Sequence, residues 1–166
     1  GARALTGSEP LNWRGGFVGV GDPVYNQADP RWTARAQAGY KGAGWAWFPR
    51  LKAATERFEL PRLPASGKEV RSCAAVWKSG STRVLEGLEA TPGNLSSALR
   101  EKPDVLHLAT HFLAPGRDPG EASIMLSLGP DGRLQGLIPA AIRGLGAAPA
   151  LVVLSGCHSG RAPALP

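Results

Sequence analysis

Two stretches decide the reading of this chain: Val105-Leu106-His107-Leu108-Ala109-Thr110-His111 and Leu151-Val152-Val153-Leu154-Ser155-Gly156-Cys157-His158-Ser159-Gly160. Each opens on a near-continuous apolar run. Runs of that kind, bounded by turn residues, are expected of strands buried on both faces of a parallel sheet. Each run leads to a residue able to do chemistry, His111 in the first and Cys157 in the second. In open α/β sheets, sites form beyond the carboxyl ends of the strands. If the two strands are neighbours, the imidazole and the thiol share one rim.

The segments around them alternate between strand and helix. Phe17-Val18-Gly19-Val20 reads as a first strand, ended by Gly21-Asp22-Pro23. Ser66-Gly67-Lys68-Glu69 has the spacing of a capping box and predicts a helix start. The apolar stripe of that helix is Val70, Cys73, Ala74 and Trp77, which makes Cys73 a buried small hydrophobe; Gly80 ends it. Arg83-Val84-Leu85 reads as a second strand. Thr91-Pro92 predicts an N-cap followed by proline at the first helical position, with Leu95, Ala98 and Leu99 facing inward. Ile124 to Leu128, Gly129-Pro130-Asp131-Gly132 and Arg133-Leu134 read as a hairpin. Pro139 to Leu145 reads as a short helix. The fold class expected is α/β: a mainly parallel sheet flanked by helices, with right-handed crossovers and a small β-hairpin.

Composition narrows the classes. The 166 residues include 22 glycines and 15 prolines, nearly double the usual share of about 12%. Many turns and few long helices follow. No apolar run approaches the roughly 18 residues of a membrane span. Gly1 to Glu9 lacks the apolar stretch of a secretory signal. Cys73 and Cys157 are two cysteines only, too few for a disulfide framework, and both are expected as free thiols in the reducing cytoplasm. The net charge is +6. The basic residues are spaced singly, so a solvated basic surface is expected rather than a nucleic-acid partner. Residues 24–64 read as an irregular segment, with Trp32, Tyr40, Trp45, Trp47 and Phe48 forming a flap over a sheet face. Residues 1–16 read as an N-terminal extension ahead of a domain at 17–166.

A thiol beside an imidazole is a nucleophile with its base: the thiolate attacks, and the imidazolium protonates the leaving amine. Gly156 and Gly160 bracket Cys157, so its backbone can turn sharply and offer an N–H to a developing oxyanion. Other chemistries fit the spacing less well. A phosphatase loop needs an arginine six positions after its cysteine, where this chain has Pro163. The nucleophile elbow of the hydrolases needs glycines two positions either side, where Ser155 and Ser159 stand. A metal set of His107, His111, Cys157 and His158 is disfavoured, because adjacent Cys157 and His158 point to different sides. His107 reads as a core or supporting histidine.

With both signatures quoted, the chain resembles the CHAT-domain proteins, caspase-like cysteine peptidases of which many are bacterial and joined to TPR repeats. His111 and Cys157 lie 46 positions apart, close to the caspase separation of about 50. Asp131-Gly132-Arg133-Leu134, Leu63-Pro64 and Thr91 to Leu99 also match the family's pattern. The resemblance implies a caspase-like fold and a cysteine endopeptidase acting through an acyl-enzyme, without a cofactor or metal, in a regulatory or defence pathway. It implies His111 as catalytic histidine and Cys157 as nucleophile. The backbone N–H groups of Cys157 and Phe112 would form the oxyanion hole. Many family members have glycine at the position of Phe112. Cys157-His158-Ser159-Gly160 resembles metacaspases, which carry an aspartate at the position of Ser155. Asp22 and Ser155 are therefore candidate substrate-pocket residues.

The resemblance also implies partners. They are a protein or peptide substrate, a regulatory TPR-type region, and a second chain supplying the C-terminal, small-subunit-like half. The missing initiator Met, and an end at Pro166 soon after Cys157, lead to the same expectation of a large-subunit-like piece. The alternative reading is a catalytically inactive, caspase-like interaction module of a signalling complex.

Overall fold

The computed structural model describes residues 13–37, 60–113, 122–145 and 148–156. The chain runs β1 (Phe17–Pro23), α1 (Pro30–Gln37), α2 (Pro64–Val76), β2 (Thr82–Gly87), α3 (Pro92–Leu99), β3 (Val105–Ala109), β4 (Phe112–Leu113), β5 (Ser123–Leu126), β6 (Gln135–Leu137), α4 (Pro139–Gly144) and β7 (Leu151–Leu154). Four strands form one parallel sheet in the order β2-β1-β3-β7, and three form a small antiparallel sheet in the order β4-β5-β6. A mainly parallel sheet flanked by helices is the caspase-like α/β architecture.

The pleat of β1 divides its residues between two layers. Val18 and Val20 join Leu106 and Leu108 of β3 in a core with Leu95, Ala98 and Leu99 of α3 and with Ile124, Leu126 and Leu137 of the small sheet. The alternate residues face α2, and there β1 needs glycine. A Cβ on Gly21 would lie 2.6 Å from the Ser66 carbonyl oxygen, and one on Gly19 would lie 3.0 Å from Val70. Glycines let the helix approach to backbone distance.

Sheet order locates the rim that matters. The chain leaves β1 for β2 on one side, then returns past β1 to β3 on the other. That reversal makes the crevice beyond the carboxyl ends of β1 and β3 the topological switch point, the usual place for a site in such sheets. Ser127 ties the small sheet across this end. Its Oγ donates to the Gly87 carbonyl at the end of β2 and accepts from Val24 N–H just after β1, while its own N–H donates to Ala90.

Several local expectations need correction. The Ser66–Glu69 spacing does not cap α2. The helix starts one turn earlier, with Pro64 in the first turn and Leu63 as the N-cap residue, which gives no side-chain cap. Proline suits that position because its missing N–H would be unsatisfied there anyway. The Ser66 hydroxyl serves tertiary structure instead, accepting from Asp22 N–H at 2.8 Å and donating to the Leu63 carbonyl at 2.9 Å. The helix stops at Val76, before Gly80, where Trp77 turns extended. Cys73 is only half-buried. Residues 24–64 are not irregular throughout, since α1 lies among them; Tyr40, Trp45, Trp47 and Phe48 lie outside the described residues. Thr91 does cap α3, its Oγ1 accepting from Asn94 N–H at 3.2 Å. The hairpin is present as β5 and β6, and β4 adds a third strand that the sequence did not announce.

The largest correction concerns β7. Its apolar run reads as a buried strand, yet Leu151, Val152 and Leu154 are 41%, 47% and 59% exposed. Among the described residues β7 has β3 as its one neighbour, and no helix covers either of its faces. The chain just ahead of β1 is tied down: Arg14 and Gly15 N–H groups donate to the Asp104 carboxylate, and Trp13 meets Trp77 edge-on.

Candidate active site

His111 sits at the switch point, immediately past β3, with 4% of its surface exposed. Its main chain is held on both sides. The N–H donates to the Tyr25 hydroxyl at 3.3 Å, and the carbonyl accepts from Met125 N–H of β5 at 2.8 Å. Its ring leans on the Tyr25 ring at 4.9 Å between centroids, and Nε2 lies 2.8 Å from the Pro61 carbonyl oxygen. A carbonyl oxygen only accepts, so Nε2 carries the hydrogen and Nδ1 carries the lone pair. The neutral imidazole is thus oriented as its Nε2–H tautomer. Burial pushes the Tyr25 phenol above its ordinary range, so it stays neutral beside the imidazole.

The backbone leading to Cys157 meets the residues flanking this histidine. Leu154 pairs with Leu108, and Ser155 N–H donates to the Leu108 carbonyl at 2.9 Å. A Cβ on Gly156 would run into the Phe112 ring and the Thr110 carbonyl oxygen. Only glycine lets the chain pass between the neighbours of His111. Cys157, His158 and Gly160 lie outside the described residues.

Phe112 pairs with Ile124 across β4 and β5. The bond from Met125 N–H to the His111 carbonyl makes this a non-hydrogen-bonded pair of the ladder. The Phe112 N–H therefore turns away from β5. Its ring packs partly against the main core as well as over Gly156.

Asp22 ends β1 at the same rim, at a register shift between Gly21 and Pro23, with φ of 44°. Left-handed backbone is costly for most residues and least so for Asp, Asn and Gly. The Asp22 carboxylate is buried and doubly paired. Arg31 Nη1 reaches Oδ2 at 3.0 Å; Arg62 grips it with Nε at 3.0 Å from Oδ1 and Nη2 at 2.7 Å from Oδ2. Two guanidinium groups already neutralise the charge that a basic substrate residue would seek. Ser155 is half-buried at the end of β7.

Arg31 also forks onto Asp29, with Nε to Oδ1 at 3.0 Å and Nη2 to Oδ2 at 2.6 Å. Hydrogen bonding from Arg31 holds the Asp29 carboxyl below its ordinary 3.8, against the effect of burial. A carboxylate with a depressed pKa stabilises the fold above its ordinary pKa and loses that contribution as the pH falls through the depressed value. Denaturation midpoints of the native chain and Asp29→Asn should therefore differ by a constant amount above about pH 5 and converge in acid. A gap that widens on acidification would contradict the assignment.

His107 lies on the α2 face of β3, buried and edge-on to Phe17. Its Nε2 comes within 2.9 Å of Glu69 Oε1, but out of line for a hydrogen bond. It faces away from the rim, so it cannot share a metal with His111. Among the described residues, no group of three or more His, Cys, Asp or Glu is placed to hold a metal ion. No described helix is long and apolar enough to cross a membrane.

The sequence singles out His111 and Asp22, which the structure places at one rim, but not Tyr25, Pro61 and Arg62, which contact them. Pro61 acts through a backbone carbonyl, which no side-chain pattern reports. Arg62 looks like any of the singly spaced basic residues. Tyr25 lies two residues past the end of β1, and that nearness to a strand end was the available signal.

No curated protein matches the chain. The model of the CHAT domain matches residues 2–164. With the parallel sheet, the switch-point histidine and the glycine-led approach of the second signature, the chain belongs to the CHAT domain family, a family of caspase-like cysteine peptidases.

Proposed function

We propose that this protein is a cysteine endopeptidase in which Cys157 is the nucleophile and His111 its proton-transfer partner. The observation that carries the reading is the packing of Gly156 against both Thr110 and Phe112. Gly156 immediately precedes Cys157 in the chain, and it sits against both neighbours of His111. In this reading Cys157 Sγ attacks the scissile carbonyl carbon and its proton resides on His111. The Phe112 and Cys157 N–H groups stabilise the oxyanion. The C–N bond breaks, the leaving amine takes the proton from His111, and a thioester remains. Water then attacks the thioester carbon as His111 takes its proton; the C–S bond breaks, the acid leaves, and the thiolate recovers the proton from His111.

Asp22 and Ser155 border the same rim. Because Asp22 is already paired with Arg31 and Arg62, a preference for basic residues before the scissile bond gains no support from it. The exposed β7 edge supports a second chain, with a strand that pairs along β7 and completes the domain.

The test is covalent labelling of the intact protein by a library of peptides bearing a thiol-reactive acyloxymethyl ketone. Labelling that disappears in Cys157→Ala is the expected result. A folded protein that no peptide labels would leave the inactive interaction module as the better account.

A further inference from the structure

We propose that Asp22 and Arg62 are positioning residues that hold the Pro61 carbonyl on His111 and so fix the tautomer of its imidazole. This rests on the reading of His111 as the catalytic base. Among the described residues, the Pro61 oxygen lies 2.8 Å from Nε2, where it accepts its hydrogen. Pro61 and Arg62 lie outside every helix and strand and are exposed. Regular structure therefore does not fix that carbonyl. Two anchors flank it. On one side, Leu60 is buried with Tyr25, Leu113 and Met125. On the other, Arg62 grips the Asp22 carboxylate through Nε and Nη2.

Asp22 is itself rigid. It ends a central strand, its N–H donates to the Ser66 hydroxyl, and Arg31 binds both its carboxylate and its carbonyl oxygen. The line of contact runs from the sheet through Asp22, Arg62 and the Pro61 carbonyl to His111 Nε2. A planar guanidinium bound at two points resists rotation as well as translation, which a single ammonium contact does not. The peptide unit between Pro61 and Arg62 is thereby oriented, and its oxygen is the one that meets the ring. The same pairing explains an aspartate at left-handed backbone without a substrate charge to recognise.

The experiment compares the native protein, Arg62→Ala and Arg62→Lys by two readouts. The first is ¹⁵N NMR of the His111 ring, which reports the tautomer whether or not the protein cleaves anything. The native ring should be almost wholly the Nε2–H form. Arg62→Ala should show a mixture with the Nδ1–H form, and Arg62→Lys should fall between the two. Arg62 is 51% exposed, so its removal should leave the fold intact. The second readout is peptide turnover. Arg62→Ala should lower kcat about tenfold with KM little changed, since the base and not the binding surface is disturbed. A native His111 tautomer in a folded Arg62→Ala overturns the proposal, whatever happens to turnover. A shifted tautomer in a protein that no peptide labels supports the positioning role while removing the peptidase reading.

Discussion

Replacing His111 with alanine is expected to lower peptide turnover by about 10²–10⁴-fold, the range a positioned general acid–base contributes. The geometry gives the reason. The Pro61 carbonyl accepts from Nε2, and in the proposed mechanism Nδ1 takes the thiol proton and returns it to the leaving amine. Without the imidazole to take its proton, the Cys157 thiol must ionise unaided, and an ordinary thiol is only a few per cent thiolate at neutral pH. The bonds that fix this stretch of chain are main-chain bonds, to Tyr25 and from Met125, and they survive the substitution. The variant should therefore fold. Turnover and the rate of alkylation of Cys157 at pH 7 are the measurements, with circular dichroism as the check on folding. Unchanged rates in a folded variant would remove His111 from the mechanism.

Gly156→Ala is expected to damage the site more than the fold. The added Cβ meets two groups of different compliance, the Phe112 ring and the Thr110 carbonyl oxygen. The ring can rotate aside. The carbonyl belongs to the backbone that enters His111 and cannot. The chain after β7 must then shift, and a displacement of about 1 Å at a reacting group can cost about 10² in rate. The stability loss should stay within about 1–3 kcal/mol, the usual range for overpacking. Adding Phe112→Ala should recover part of the stability and little of the rate, because the carbonyl clash remains. Melting temperature and the rate constant for labelling by a peptide electrophile separate the two effects. Native-like labelling by Gly156→Ala would show that this glycine does not govern the approach of Cys157.

The parallel core was legible because its strands are buried on both faces and written as apolar runs. Val105 to Ala109 is the clearest case. Helix α3 was equally legible, because Thr91 and Pro92 act locally and no other element competes for the threonine hydroxyl. Ser66 shows the opposite. Its spacing to Glu69 is that of a cap, but its hydroxyl is taken by Asp22 from a strand 44 positions away in sequence. β7 misled for a related reason: an apolar run states that a surface should be covered, not what covers it. At the site, His111 was visible because a strand delivers it. The groups that orient it come from a connecting segment and from a backbone oxygen, and neither leaves a pattern in one sequence.

Ser127 gives the two sheets a shared fate. One fully buried residue hydrogen-bonds Val24 after β1, Gly87 at the end of β2 and Ala90 beyond it. None of the three bonds can be surrendered alone without stranding a polar group away from water. The small sheet therefore cannot swing off as an independently opening piece. Its β5 amides should exchange with solvent through the same cooperative opening that exposes β1. Because Met125 of that strand also bonds the His111 carbonyl, the imidazole's seat persists until the whole unit unfolds.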